Sequence, residues 1–200
     1  RRQRQMCIRD RINEDVLKVN LGEIIKKEKE NNNFLNAKIV ANLPYYITTP
    51  IIMKLLEEEL DIKSITVMIQ KEVAERLIAV PGDKFSGAIT YCVYYYADSE
   101  KIMVVDNNSF IPEPEVQSEV IKLNIRSAPA LELKDKDLFF KVVKVSFMQR
   151  RKTLMNSLVN GGVLKSKDEA RKMFGELGFD VNVRGENLSM GDFERICEWL

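Results

Sequence analysis

The sequence predicts an α/β domain on a largely parallel sheet, followed by a smaller all-helical part. Short apolar, β-branched runs alternate with helix-patterned segments through the first two-thirds of the chain, which is the signature of strands joined by crossover helices. After the stretch "SAPALEL" (127–133) only helical periodicity remains. Charge changes with it: residues 134–172 carry 11 Lys or Arg against 4 Asp or Glu, a net of +7, while residues 173–200 carry 2 against 6, a net of −4.

Residues 1–11, "RRQRQMCIRDR", are strongly basic without either periodicity and are expected to be either a disordered arm or sequence foreign to the fold, with no assigned function. "AKIVANL" (37–43) reads as a buried strand. "TPIIMKLLEEEL" (49–60) reads as a helix, with Thr49 as its expected N-cap and Pro50 at its first helical position. "SITVMIQ" (64–70) repeats the strand pattern and "KEVAERLIAV" (71–80) the helix pattern, stopped by Pro81-Gly82. "FSGAITYCVYYYA" (85–97) is a further helix candidate, and "EKIMVVD" (100–106) and "SEVIKLNI" (118–125) are expected as closing antiparallel strands. Beyond a boundary near residue 130, "DLFFKVVKVSFMQRRKTLMNSLV" is helical in period throughout, "SKDEARKMFGELGF" is a capped helix ending at Gly178, and "SMGDFERICEWL" is the last. The expected domains are therefore 12–130 and 131–200.

Composition narrows the chemistry. The chain has no His, which removes Ser-His and Cys-His nucleophilic schemes and most metal-hydrolase schemes. Cys7, Cys92 and Cys197 are isolated, with no CxxC spacing, so neither a zinc site nor a disulfide framework is expected and a reducing, cytosolic setting is. No stretch reaches the ~18–20 apolar residues of a membrane span. The +7 block suits a polyanion.

The chemistry concentrates in "ANLPYYITTP" (41–50), at a strand end just before a helix. Ligands of open α/β sheets bind beyond the carboxyl ends of the strands. Asn42 offers an amide oxygen there, the Leu43 and Pro44 carbonyls are expected to be free because the loop has left the ladder, and Tyr45 and Tyr46 offer flat faces. Two acceptors beside an aromatic surface match a planar ring bearing an exocyclic NH2.

"NLPYYITTPIIMKLL" resembles the NLPY motif of the S-adenosylmethionine-dependent rRNA adenine dimethyltransferases, closest to those acting on the small ribosomal subunit. "NEDVLK" (13–18), "SFIPEPEVQS" (109–118), "FMQRRKTLMNSL" (147–158) and "RGENLSMGDFERI" (184–196) are similar to further motifs of that family, in the family's order. The resemblance implies a Rossmann-like class I methyltransferase sheet followed by a small helical RNA-binding domain. It implies S-adenosylmethionine as methyl donor, no metal, and small-subunit rRNA or a pre-ribosomal particle as partner of a cytoplasmic monomer with no membrane contact. By resemblance Asn42, Leu43, Pro44, Tyr45 and Phe110 form the catalytic set, with Tyr45 and Phe110 supplying two stacking faces. Asp15, with Glu14 as a weaker candidate, and Asn42 contact the cofactor. Arg150, Arg151 and Lys152, which cannot share one helix face, bind RNA, one arginine also docking the helical part on the sheet.

The front departs from the family. No glycine precedes Gly22, so the Gly-rich loop that would hold the cofactor is missing, together with two βα units of on the order of 60–80 residues. The chain is expected to be the carboxyl-terminal two-thirds of an enzyme, inactive by itself. The alternatives are a large-subunit rRNA adenine methyltransferase of the macrolide-resistance type and a non-catalytic RNA-binding assembly factor.

Overall fold

The computed structural model describes residues 11–32, 35–149 and 151–200. Most of the basic arm, including Cys7, and Arg150 lie outside the described residues.

Helix α1 (Leu21–Asn32) is an element the sequence reading passes over. Asn20 Oδ1 accepts from Glu23 N–H at 3.1 Å and starts the helix, and Leu21 and Ile25 turn a half-buried face to the core. The segment before it, 12–20, contains no strand: Asp15 sits in a local turn, its Oδ1 accepting from Leu17 N–H at 3.0 Å.

Strand β1 (Lys38–Asn42) leads through a turn of 3-10 helix (Tyr45–Ile47) into α2 (Thr48–Glu57). The expected Thr49 cap is corrected: the helix begins at Thr48, and Thr48 Oγ1 donates backward to the Pro44 carbonyl at 3.0 Å. Pro50 is harmless there, because first-turn N–H groups have no intrahelical acceptor. Strand β2 (Ser64–Gln70) runs parallel to β1, with Asn42 opposite Met68. Helices α3 (Lys71–Ile78) and α4 (Ala88–Tyr96) follow, then β3 (Ala97–Val105) and β4 (Ser118–Ile125), which pair antiparallel with each other. β4 is also antiparallel to β2, so the sheet order is β1-β2-β4-β3 and only the β1–β2 pair is parallel. β1 is an edge, and Val40 on it is 79% exposed.

One buried cluster joins the sheet to the helical part. Ile65, Val67 and Ile69 of β2 and Ile121 and Leu123 of β4 alternate onto one face and pack in the same core as Tyr91 of α4 and Phe139 of α5 (Lys136–Phe147). Each such side chain contributes about 1.5–3 kcal/mol by leaving water.

The single helix expected across 137–159 is instead two. α5 ends at Phe147 and α6 (Leu154–Asn160) starts at Thr153, whose hydroxyl caps Asn156 N–H. The two helices pack closely: a Cβ on Gly161 would lie 2.2 Å from Val145 Cγ1. Apolar residues stay in step through the break, so periodicity cannot reveal it. Gln149, Arg151, Lys152 and Thr153 of the Q-R-R-K-T stretch are therefore not helical. α7 (Lys167–Leu177) is capped by Ser166 and closed by Gly178 at φ 73°, as the sequence predicts, and the expected last helix, α8 (Met190–Trp199), opens with a reciprocal Ser189–Asp192 capping box.

Candidate functional site

The strand directions bring four chain segments to one edge of the sheet. β1 and β2 end there at Asn42 and Gln70, β4 starts there at Ser118, and β3 ends there at Val105, because Gln70 and Val105 both pair with Ser118. The loops beyond this edge are 43–47 and 106–117, which carry the NLPY motif and Phe110 respectively.

Asn42 is exposed at the tip of β1, and its carboxamide has no hydrogen bond to any described residue. Leu43 N–H still donates to the Met68 carbonyl at 3.3 Å, so the ladder holds for one residue past the strand while the Leu43 side chain is buried. The Leu43 carbonyl receives no donor among the described residues. The Pro44 carbonyl is different: it accepts both Ile47 N–H at 3.2 Å and Thr48 Oγ1 at 3.0 Å. The expectation of a free Pro44 carbonyl is thus corrected, since the sharp turn into α2 uses it. Two open acceptors remain on consecutive residues, the Asn42 Oδ1 and the Leu43 oxygen.

Tyr45 is half-buried, with its hydroxyl 2.6 Å from Ser118 Oγ, whereas Tyr46 is 87% exposed. Phe110 is half-buried in the 106–117 loop, which Gln117 fastens at its base: its carbonyl accepts from Lys71 N–H at 3.0 Å and its Nε2 donates to Asp106 Oδ1 at 3.3 Å. A cleft of about 300 Å3 opens beside this base, between Gln70, Glu75 and Gln117. The better enclosed cavity, about 320 Å3, lies at the opposite edge of the sheet, between Leu56, Tyr96 and Arg126, away from the motif residues.

Asp15 and Glu14 are exposed, and no hydrogen bond or ion pair among the described residues joins either to residues 42–46. Asp15 Oδ2 lies 4.0 Å from Lys18 Nζ and keeps acceptor capacity. Arg151 and Lys152 are exposed in the α5–α6 turn and make no ion pair among the described residues. The docking role expected of an arginine in this stretch falls in part on Arg150, outside the described residues; among the described residues, the Tyr91 hydroxyl donates to the Leu188 carbonyl at 2.5 Å, Ser86 Oγ donates to the Glu186 carbonyl at 3.2 Å, and Lys136 pairs with Glu59 at 2.7 Å. That Glu59 bond raises the Lys136 ammonium above its ordinary pKa.

Ser118 and Thr48 are the residues that reading the sequence missed. Both are buried hydroxyls whose partners, Tyr45 and the Pro44 carbonyl, become visible only once the strands are placed. Ser118 closes the 109–118 motif, but its bond to Tyr45 spans 73 residues of sequence and no residue-type pattern signals that pairing.

A family model described as ribosomal RNA adenine dimethylase matches residues 9–200. The chain is 48% identical over 182 residues to ribosomal RNA small subunit methyltransferase A of Clostridioides difficile (strain 630), covering 91% of this chain and 62% of that protein. It is 45% identical over 191 residues to the protein of the same name from Bacillus cereus (strain B4264), covering 94% and 65%. The chain therefore spans under two thirds of the length of these relatives. Among solved structures it is similar to a dimethyladenosine transferase from Plasmodium falciparum (TM-score 0.65, 23% identity, 90% of this chain and 78% of that one). It is also similar to the 23S rRNA methyltransferase ErmE (TM-score 0.57, 18% identity, 91% and 78%). At these identities the two structures speak to the α/β fold alone.

Proposed function

Because this chain belongs to the ribosomal RNA adenine dimethylase family, we propose that the whole protein transfers methyl groups from S-adenosylmethionine to the 6-amino nitrogen of adenines in small-subunit rRNA. The observation that carries this reading is the pair of unpartnered acceptors, Asn42 Oδ1 and Leu43 O, at the carboxyl end of β1 beside Tyr45.

The 6-amino group of adenine is a poor nucleophile because its lone pair is delocalised into the ring. Two acceptors holding its two N–H bonds favour a pyramidal nitrogen and free that lone pair. Rigidity matters here, and for the backbone it comes from the turn: Pro44 O is tied by Ile47 and Thr48, and Leu43 by Met68, so the Leu43 carbonyl and the backbone that carries Asn42 are fixed before substrate arrives. Tyr45 and Phe110, on loops at the same sheet edge, replace the stacking that the base loses when it leaves its helix.

S-adenosylmethionine supplies an electrophilic sulfonium methyl, which needs neither a metal nor a covalent enzyme intermediate. The residues of this chain suited to hold it are Asp15, whose Oδ2 retains acceptor capacity toward an N–H donor, and Asn42 at the strand tip. RNA phosphates are met by Arg150, Arg151 and Lys152 within the net-positive 134–172 block, and the helical part from about residue 131 serves as the RNA-binding domain. The setting is the cytoplasm, and among the described residues no helix is long and apolar enough to cross a membrane.

The test is transfer of tritiated methyl groups by the whole protein to small-subunit particles and, separately, to large-subunit rRNA, followed by nucleoside analysis. Label recovered as N6,N6-dimethyladenosine from small-subunit rRNA is the expected result. Label confined to large-subunit RNA, or RNA binding without label, would replace this reading with the methyltransferase of the other subunit or with an assembly factor.

A further inference from the structure

We propose that Ser118 is a positioning residue for the methyl-transfer site, acting through the hydroxyl of Tyr45. This rests on the function proposed above and adds to it a role for Ser118, the residue that closes the 109–118 motif.

Tyr45 Oη and Ser118 Oγ are 2.6 Å apart, and either can donate. Ser118 is buried, 1% exposed, and is fixed at the first residue of β4 between Gln70 of β2 and Val105 of β3. It is thus among the most firmly placed atoms at this edge, with strands on both sides. Tyr45 stands on a short turn of 3-10 helix with no side-chain cap, and its ring is only half-buried, so packing alone leaves it rotational freedom. A hydrogen bond from the ring's far end to a rigid strand removes that freedom.

The placement of Ser118 has a second consequence. It closes the loop that carries Phe110, eight residues on in the chain. One hydroxyl pair therefore ties the NLPY turn to the base of the Phe110 loop and sets the spacing between two aromatic faces. Loss of the bond leaves both rings present but lets Tyr45 swing, so an extruded base is held in a wider range of poses. The cost should fall on the reacting complex more than on RNA capture, which depends on phosphate contacts elsewhere.

The experiment is a double-mutant cycle of Tyr45→Phe and Ser118→Ala in the whole protein, with steady-state methyl transfer to small-subunit particles and thermal unfolding of every variant. Each single change should lower kcat about three- to tenfold, the range set by one net hydrogen bond, with KM for the particle within about twofold. The double variant should be no slower than the slower single one, because both changes remove the same bond. Tyr45→Phe keeps the ring and guards against a folding defect in Ser118→Ala. An RNA carrying 2-aminopurine at the target position supplies a readout that a structural role would not move: its quenching by stacking should weaken in both singles at unchanged RNA affinity. Singles with wild-type kcat and quenching, or losses that multiply in the double variant, would overturn the proposal while leaving the proposed function intact. A wild-type protein that transfers no methyl group to adenine would overturn both.

Discussion

Replacing Tyr91 by Phe isolates one hydroxyl at the joint between the sheet-bearing part and the carboxyl-terminal segment. Tyr91 on α4 is fully buried, and its hydroxyl donates to the Leu188 carbonyl at 2.5 Å, with the Gly185 carbonyl at 3.4 Å. Its ring lies edge-on to Phe193 at 5.0 Å and tilted against Phe147 at 5.4 Å, contacts that a Phe ring retains. What Phe removes is the donor, leaving the carbonyl of a residue only 1% exposed without a partner. A buried acceptor left unsatisfied costs about 1–3 kcal/mol. For a chain of this size each kcal/mol moves the melting temperature by roughly 2–4 °C, so a loss of about 2 kcal/mol predicts a fall of about 4–8 °C. Differential scanning calorimetry measures it, with Tyr94→Phe, at a site 37% exposed, as the control expected to move by no more than about 1–2 °C. A Tyr91→Phe melting temperature within about 1 °C of wild type would show that the hydroxyl does not hold the carboxyl-terminal segment on α4.

Glu119 is fully buried with Lys101 Nζ 3.0 Å from Oε1, yet neither oxygen is in hydrogen-bonding geometry, so charge proximity is what offsets its burial. Lys101→Met should cost about 1–3 kcal/mol in urea unfolding, discounted because the lysine is half-exposed, and Lys101→Met with Glu119→Leu should recover most of it; a neutral single variant would refute the pairing. Burial raises Tyr91 from 10.0 to about 12 and Cys92 and Cys197 from 9.0 to about 12, so the folded state holds these protons more tightly than the unfolded chain. That contribution is intact below the unfolded values near 9 and 10 and is lost as pH climbs toward 12, so the melting temperature should decline steadily above about pH 9; a flat profile to pH 11 would contradict it. Neutralising Arg150, Arg151 and Lys152 together should flatten the slope of log RNA affinity against log salt by up to about 2–3, and an unchanged slope would remove them from the phosphate contacts.

Elements whose signal is local were legible in the sequence. Ser166, Gly178 and the Ser189–Asp192 box act where their residue types say they should, and the β2 and β4 strands follow their apolar alternation. Helix α1 is hard to read because half of its 12 residues are charged and its apolar stripe is only half-buried. The break after Phe147 was hidden because the cap at Thr153 lies inside a run whose apolar residues keep helical step. At the candidate site the chain shows which groups are available but not which are already bonded. Pro44 and Leu43 are indistinguishable as acceptors in sequence, and only the turn into α2 shows that Thr48 and Ile47 take one and leave the other. The Tyr45–Ser118 bond is illegible for the same reason, since it depends on β4 lying beside β2. The glycine of the R-G-E-x-L-S ending gains its meaning late as well: a Cβ there would come within 3.1 Å of the Ser146 backbone oxygen, so α5 approaches too closely for any side chain.

The central claim is that Asn42 aligns the reacting amine and adds little to RNA binding, and Asn42→Ala in the whole protein tests it most directly. The side chain is exposed and unpartnered, so its removal should leave the fold and melting temperature unchanged. Single-turnover transfer of tritiated methyl to small-subunit particles should fall by about a hundredfold or more, with RNA affinity at fixed salt within a few-fold of wild type. Transfer at near wild-type rate would contradict the assignment, and a loss of RNA affinity matching the loss of rate would make Asn42 a binding residue instead.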